Sequence, residues 1–359
     1  MGLLLPLLAL GLFALRVARM LSRVAIDPAQ SDVIPSIQVM VRRWIGGEAV
    51  YLPIVDFGYI IYPTYLPLMW LPFAPAEIMN FDYRWVAFGG FALAVLVAIS
   101  LLLRRRLPLS ITLALMIVPL LLLQAVLQTG ATTITSTVEL LIVGFYLLLA
   151  CSIWRGPWWA QGVTLALCLL SRFSLVFWVP LWLVLIWQGR GRVEALRVGS
   201  LTAGLVLLIY IVPFLSHDWG AFARAQLTYT EAAVGEWQRL SPILPEHLYK
   251  GIGLAALFHR FAPGDVAQQV QLVRWVHAGV CIGVVLSAAL YWFKQKPLLD
   301  YRIYALLILK IYLATFYAFV QVPYIYLTVV GVSMAWPILL LLPLEQTSRA
   351  KRTRVPVIV

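Results

Sequence analysis

The feature that most restricts how this chain can fold is a set of long apolar runs without a charged residue. Residues 3–15, 86–103, 107–123 and 322–344 contain no Asp, Glu, Lys or Arg. A helix crosses the hydrocarbon core of a bilayer with about 20 such residues. The runs do not alternate apolar with polar residues, as membrane strands would. Only 12% of the residues are charged, against about 25% in ordinary soluble domains. We therefore predict an all-α, polytopic membrane helix bundle.

The apolar sequence divides into about ten predicted spans when each is allowed about 20 residues. Two neighbouring spans are short and are separated by Ser171, Arg172 and Phe173, so we expect tilted or partly inserted helices there. The spans are predicted to form a single transmembrane domain over residues 1–359. They are 2–22, 85–103, 107–127, 137–154, 157–172, 174–188, 198–215, 274–293, 302–320 and 324–343.

Basic residues in the short turns predict the orientation of the bundle, because Lys and Arg are enriched in cytoplasmic loops. With ten spans and a cytoplasmic N-terminus, all of these turns and a basic tail, residues 344–359, lie inside the cell. A first loop, residues 23–84, and a second loop, residues 216–273, then lie on the extracytoplasmic side of the cell (inner) membrane and hold most of the carboxylates. The basic residues that cap the turns are Arg104, Arg105, Arg106, Arg155, Arg190, Arg192, Arg197, Lys294 and Lys296.

The formal charge of +12 would raise nucleic acid as a partner in a soluble protein. Here the basic residues already have a topological role, so we expect membrane lipids and no nucleic acid as partners. Cys151, Cys168 and Cys281 all fall in apolar spans, and we expect them to pack there without disulfides.

The first loop is predicted to be ordered. Residues 31–45 carry apolar side chains at helical spacing, with Arg42 and Arg43 nearer the polar side. Ser31 or Asp32 is a suitable N-cap for an amphipathic helix in the membrane interface, and glycines 46 and 47 suit its end. A second apolar stretch, 62–73, is interrupted by three prolines and suits a further interfacial segment. The apolar positions of the helix are Val33, Ile37, Met40, Val41 and Trp44.

This arrangement resembles the GT-C superfamily of polyprenyl-phosphate-sugar-dependent glycosyltransferases, in particular its bacterial mannosyltransferase-like branch. The likeness in hydropathy covers most of the chain, but residue by residue it is confined mainly to 32–75. Gln128-Thr129-Gly130 and Ser171-Arg172-Phe173 fit it more loosely. The positions that carry it are Asp32, the segment Gly46-Gly47-Glu48-Ala49-Val50-Tyr51, Tyr62-Pro63, Pro67 and Leu71-Pro72.

The resemblance implies a GT-C-like fold and an inverting transfer of a sugar from a polyprenyl-phosphate donor to an extracytoplasmic lipid, glycan or protein acceptor. It implies that Asp32 is the general base that deprotonates the acceptor hydroxyl. Many members of the superfamily carry paired acids in this loop, whereas Asp32 stands between Ser31 and Val33. This departure favours a single-base mechanism, so we predict no cofactor and leave the use of a divalent metal open.

Two acids of the first loop are candidates for chemistry, and each has a plain structural alternative. At a helix N-terminus the pKa of Asp32 is expected to be held low, which keeps the carboxylate ready to accept a proton. The alternative is that Asp32 only caps the helix. Asp56 is a candidate for binding sugar hydroxyls, and its alternative is a turn residue before Gly58.

Cations and polar residues farther along the chain are candidates for substrate binding. Arg172 lies between two short spans, and a guanidinium suits the donor phosphate, while the alternative is an arginine that extends to the interface. Three scattered histidines in the second loop do not have the spacing of zinc ligands. For each candidate in that loop the alternative is a solvated surface residue. These second-loop candidates are Glu236, Arg239, His247 and Lys250.

Two other classes of function stay open at this point. A flippase or transporter for a lipid-linked glycan would have broken helices and charges deep in its spans. A glycan polymerase or ligase would also have long external loops. The arrangement of residues 24–84 separates these alternatives, because a transferase needs a cleft at Asp32 and a transporter needs a path through the bundle.

Overall fold

The computed structural model describes residues 4–104, 108–129, 132–239, 248–249, 251–295 and 300–339, and over these residues the chain is almost entirely helical. One antiparallel bridge joins Ile54 and Ile61 in the first loop. The helices are α1 Leu4–Leu21, α2 Val33–Ile45, α3 Pro67–Trp70, α4 Ala74–Ile78, α5 Tyr83–Leu103, α6 Leu109–Thr129, α7 Thr132–Thr135, α8 Glu139–Arg155, α9 Trp158–Ser171, α10 Trp178–Arg190, α11 Arg192–Val206, α12 Ala221–Gln238, α13 Ala255–Phe261, α14 Val266–Gln295, α15 Tyr301–Ala318 and α16 Thr328–Ser333.

Four helices are long and apolar enough to cross a membrane, so the chain is a membrane protein. The all-helical prediction is confirmed for the described residues. A helix lies at each of the ten predicted spans, but several of these helices are short, and the count of ten crossings stays a prediction. The four long helices are Tyr83–Leu103, Arg192–Ile211, Val266–Gln295 and Tyr301–Ala318.

The centre of the bundle is α8, which is buried along nearly its whole length. It packs closely against α5, because Gly144 of α8 faces Gly90 of α5 without a side chain between them. A Cβ added at Gly144 would lie 3.0 Å from the carbonyl oxygen of Gly90. Close backbone approach at small residues is a common way for membrane helices to associate.

The predicted helix of the first loop is present as α2, and it packs on α3 and α4. Four of its predicted apolar positions are buried, whereas Trp44 is 43% exposed at the edge. The helix ends at Gly46, and Gly47 adopts a left-handed φ of 73°. The Glu48 amide then donates to the Arg43 carbonyl over 2.8 Å, which satisfies one of the last carbonyls of the helix.

Buried arginine contacts hold this loop against the bundle. The Arg84 side chain is 5% exposed and donates to the carbonyls of Val24 at 2.8 Å, Thr135 at 3.1 Å and Leu21 at 3.2 Å. Arg84 also pairs with Asp82. One guanidinium thus joins the end of α1, the start of α5 and the segment α7, so the first loop has a fixed place on the helices.

The second loop contains α12 and α13, which share a small apolar core with the start of α14. Trp237 is fully buried in that core together with Val270 and Val322. Its indole nitrogen donates to the Gln321 carbonyl over 2.9 Å. This contact docks α12 on the connection between α15 and α16. The predicted basic tail, residues 344–359, lies outside the described residues.

Candidate functional site

Asp32 stands directly before α2, in the N-cap position, but its side chain does not cap the helix. Its backbone has φ −83° and ψ −5°, and its carboxylate accepts no hydrogen bond from the first turn. Ser31 takes part of that role, since its Oγ accepts from the Val33 amide at 3.4 Å and donates to the Ser136 carbonyl at 3.0 Å. Asp32 therefore occupies the N-cap position without a capping hydrogen bond from its side chain, and its carboxylate is available for other contacts.

The carboxylate of Asp32 accepts a hydrogen bond from the Tyr59 hydroxyl, with 3.2 Å between the two oxygens. Burial raises the pKa of Asp32 above its ordinary value, although the hydrogen bond from Tyr59 acts in the opposite direction. The prediction that the helix N-terminus keeps this pKa low is wrong, because desolvation outweighs the local hydrogen bonds. A carboxylate with a raised pKa is a stronger base at the pH where it is ionised.

Tyr59 lies on a small hairpin that is closed at its base by reciprocal Ile54–Ile61 hydrogen bonds of 2.8 and 2.9 Å. Gly58 turns the chain with a left-handed φ of 80°. Asp56 is exposed in the same turn, as expected of a turn residue that precedes Gly58. The hairpin contributes Tyr59, and not Asp56, to the contact with Asp32.

Arg172 lies where α9 ends, and its partner is Glu139 in the first turn of α8. Arg172 Nη1 is 3.1 Å from Glu139 Oε2, and Nη2 donates to the second carboxylate oxygen. Glu139 is fully buried, and 14% of the Arg172 side chain is exposed. Arg172 also interacts electrostatically with Tyr317 and Tyr326. The alternative of an arginine that extends to the interface is wrong, because internal partners hold the guanidinium.

Four tyrosines interact electrostatically with Asp32, with Arg172 or with both, and we call them the phenol cluster: Tyr65, Tyr229, Tyr324 and Tyr326. Tyr65 and Tyr229 each interact electrostatically with both Asp32 and Arg172. Tyr324 interacts with Asp32, and Tyr326 interacts with Arg172. All four side chains are half-buried. Asp32 and Arg172 thus share two of these tyrosines, Tyr65 and Tyr229, as electrostatic neighbours.

The phenol cluster is built from three distant segments. Tyr65 precedes α3 in the first loop, Tyr229 lies in α12, and the other two tyrosines precede and enter the last helical segment. Tyr324 stacks on Tyr326 with 5.4 Å between ring centroids and an interplanar angle of 13°. Burial raises the pKa of Tyr229 to about 12 and the pKa of Tyr65 well above its ordinary value. At neutral pH these hydroxyls are protonated and can donate hydrogen bonds to oxygen atoms of a ligand.

The end of α12 forms the outer side of this site. Arg239 Nη1 is 3.0 Å from Glu236 Oε1, and both side chains interact electrostatically with Tyr59. Glu236 interacts with Tyr324 as well. Of the four second-loop candidates, Glu236 therefore interacts with the phenol cluster, and Arg239 pairs with Glu236. The other two, His247 and Lys250, lie outside the described residues.

In the part of the chain that the structure describes, no group of three or more His, Cys, Asp or Glu side chains has the arrangement of a metal site. His259 instead shares a hydrogen bond of 3.1 Å with the Tyr249 hydroxyl and meets the edge of Trp237. The use of a metal stays untested.

Sequence reasoning missed Tyr65, Tyr229 and Glu139 as site residues, and from the sequence Tyr324 and Tyr326 fit only an aromatic belt at the membrane interface. The chain has 16 tyrosines, and nothing in their local sequence separates those of the cluster from those that only pack. Glu139 had a signal, because it is one of very few carboxylates outside the two loops. Such an isolated acid next to an apolar span indicates a buried partner, and Arg172 is that partner.

Comparison of the chain with protein-family models, with curated proteins and with solved structures returns no match. The interpretation of the site therefore depends on its own geometry and chemistry.

Proposed function

We propose that this chain is an integral membrane glycosyltransferase of the GT-C type. It moves a sugar from a polyprenyl-phosphate donor to an extracytoplasmic lipid, glycan or protein acceptor. The observation that carries the proposal is that Asp32 and Arg172 both interact electrostatically with the same two tyrosines of the phenol cluster, Tyr65 and Tyr229. A base, a cation and several neutral hydroxyl donors are the groups that sugar transfer from a phosphate requires.

In the proposed reaction Asp32 accepts the proton of an acceptor hydroxyl while that oxygen attacks the anomeric carbon. The bond between the anomeric carbon and the phosphate oxygen breaks, and the polyprenyl phosphate leaves with the electron pair. Because attack and departure occur on opposite faces, the configuration inverts. Arg172 stabilises the negative charge of the leaving phosphate. The phenol hydroxyls bind sugar or phosphate oxygens between the two.

Glu139 limits what Arg172 can contribute. The guanidinium is already bidentate to a buried carboxylate, so a donor phosphate meets a partly neutralised cation. A guanidinium has five N–H donors in a fixed plane, and the pair with Glu139 uses two of them. In the proposal, Glu139 orients the remaining donors, and Arg239 of the outer side adds a second positive charge.

The proposal includes ten spans, cytoplasmic termini and an extracytoplasmic site. It is supported by the presence of a helix at each predicted span and by the basic residues of the short turns. The first loop and α12 both contribute to the candidate site, so they must lie on one side of the membrane.

The experiment uses the full-length protein in proteoliposomes with a panel of polyprenyl-phosphate [14C]hexose and [14C]pentose donors and a membrane lipid extract as acceptor. We expect label transfer by the wild type, and Asp32→Asn to reduce it by about 10²- to 10⁴-fold, the usual contribution of a general base. Asp56→Asn is the matched control, because its carboxyl is exposed in a turn, and it should keep the wild-type rate within about twofold. Transfer by Asp32→Asn at the wild-type rate would refute the role of Asp32.

One observation favours a second candidate, a flippase or transporter for a lipid-linked glycan. The helices α9 and α10 have only 14 and 13 residues, and a buried ion pair lies at the break between them. Broken helices with internal charges are common in transporters. The same proteoliposomes separate the two functions, since a transporter moves the intact labelled lipid across the bilayer without cleaving its sugar–phosphate bond.

A further inference from the structure

We propose that Tyr59 is a positioning residue for Asp32. Its hydroxyl donates to one carboxylate oxygen and leaves the remaining lone pairs for the proton of the acceptor hydroxyl. The inference rests on the proposed function, because it gives a role to a contact at the proposed base. Its direct support is the 3.2 Å separation of the Tyr59 hydroxyl and Asp32 Oδ2.

The hairpin that carries Tyr59 is held by the same helix that follows Asp32. Arg43 of α2 donates to the carbonyl of Leu52 over 2.6 Å and to the carbonyl of Pro53 over 2.9 Å, just before the hairpin closes. The two ends of the contact are thus fixed to one rigid element. Such a clamp reduces the number of orientations that the carboxylate can adopt before the acceptor arrives.

A purely structural role explains Tyr59 less well than a positioning role. The residue is 51% exposed, so its ring contributes little to the apolar core. Its ring contact is with Phe57 of the same turn, at 6.4 Å between centroids. Loss of the hydroxyl alone should therefore leave the packing unchanged and alter only the environment of Asp32.

The charge environment predicts the direction of the effect on acidity. The titratable groups that face Asp32 are Tyr59 on the hairpin, Tyr65 before α3, Tyr229 on α12 and Tyr324 after α15. The hydrogen bond from Tyr59 favours the ionised carboxylate and so lowers the pKa of Asp32. Burial and the neighbouring carboxylate raise the pKa of Tyr59 to about 12, so it remains a donor while Asp32 titrates. Without that hydroxyl the pKa of Asp32 rises, and ionisation of the base requires a higher pH.

The test compares Tyr59→Phe with Tyr62→Phe. Tyr62 lies in the same loop and is half-buried, whereas the hydroxyl that donates to the Asp32 carboxylate belongs to Tyr59. Two quantities are measured on the full-length protein in proteoliposomes. The first is the pH dependence of label transfer from the donor. The second is the titration of the Asp32 carboxyl by 13C NMR, in which Asp32→Asn identifies the resonance of that carboxyl. We expect Tyr59→Phe to move the acidic side of the pH–rate profile and the titration of the Asp32 carboxyl to higher pH. It should also lower kcat about tenfold and leave the KM for the donor unchanged. Tyr62→Phe should change neither.

An Asp32 titration that is the same in Tyr59→Phe and in the wild type would overturn the role of Tyr59, even if transfer is normal. An equal shift in Tyr62→Phe would also overturn it, because the effect would then belong to the loop in general. Failure of the proposed function gives a different pattern. The wild type would transfer no label from any donor, while the NMR titration would still report whether the hydrogen bond exists.

Discussion

At the scale of single residues, the pair of Glu139 and Arg172 makes a sharp stability prediction. Glu139→Gln or Arg172→Gln alone leaves one buried charge without its partner, which typically costs about 3–5 kcal/mol. The double substitution Glu139→Gln with Arg172→Gln should cost much less than the sum of the two single changes, because it leaves no unpaired buried charge. The measurement is a double-mutant cycle on the free energy of unfolding in detergent micelles.

The control for that cycle is Glu236→Gln, which removes one partner of the pair with Arg239. The Arg239 side chain is 74% exposed, so this loss should stay within about 0.5 kcal/mol. Similar losses at the two pairs would mean that Glu139 and Arg172 do not carry buried charges in the folded protein.

Individual residues also show how far the sequence could predict the site. Asp32 was found because its position follows a family pattern, and Arg172 was found because a charge between apolar spans is unusual. The direction of the pKa shift at Asp32 was predicted wrongly, since burial in the folded chain, which raises the pKa, outweighs the local hydrogen bonds. The phenol cluster has no local signal, because aromatic residues are abundant throughout the apolar sequence.

At the scale of helices, the contact between α5 and α8 depends on the absence of a side chain at Gly144. A Cβ there would lie 3.0 Å from the carbonyl oxygen and 3.1 Å from the carbonyl carbon of Gly90. Backbone atoms cannot rotate away as a side chain can, so Gly144→Ala should force the helices apart. We expect a loss of about 1–3 kcal/mol, measured as a lower melting temperature in detergent.

Gly89→Ala is the matched change, because a Cβ at Gly89 meets no atom within 4 Å. In the middle of α5 this substitution should leave stability unchanged or raise it by about 0.5–1 kcal/mol, the usual difference between alanine and glycine in a helix. If Gly89→Ala destabilised the protein as much as Gly144→Ala, close packing at Gly144 would not be the cause.

The helices themselves were largely predictable, since long apolar runs and helical spacing are strong signals. The predicted short spans on either side of Arg172 correspond to α9 and α10. The predicted span 274–293 is longer in the structure, where α14 covers Val266–Gln295, because Gln268 and Gln269 extend the helix with polar residues that hydropathy does not count. The hairpin between Ile54 and Ile61 was missed because one bridge leaves no alternating pattern.

At the scale of the whole molecule, the orientation in the membrane can be tested with single cysteines. Cys151, Cys168 and Cys281 are buried, so they should react slowly with a membrane-impermeant maleimide. We expect Asp56→Cys and Trp219→Cys to be labelled in intact cells, because both positions are exposed on the two long loops. Val193→Cys, at an exposed position in the first turn of α11, should be labelled only after permeabilisation. Labelling of Val193→Cys in intact cells would contradict the proposed orientation.

The dispersed origin of the phenol cluster has a consequence for synthesis of the chain. Asp32 leaves the ribosome early, but Tyr324 and Tyr326 belong to the last described helical segment. Until that segment is made, Asp32 lacks its electrostatic neighbour Tyr324. Under the proposed function, a chain arrested before its final helices would hold the proposed base in an incomplete site, so we expect sugar transfer to begin only when membrane insertion is complete.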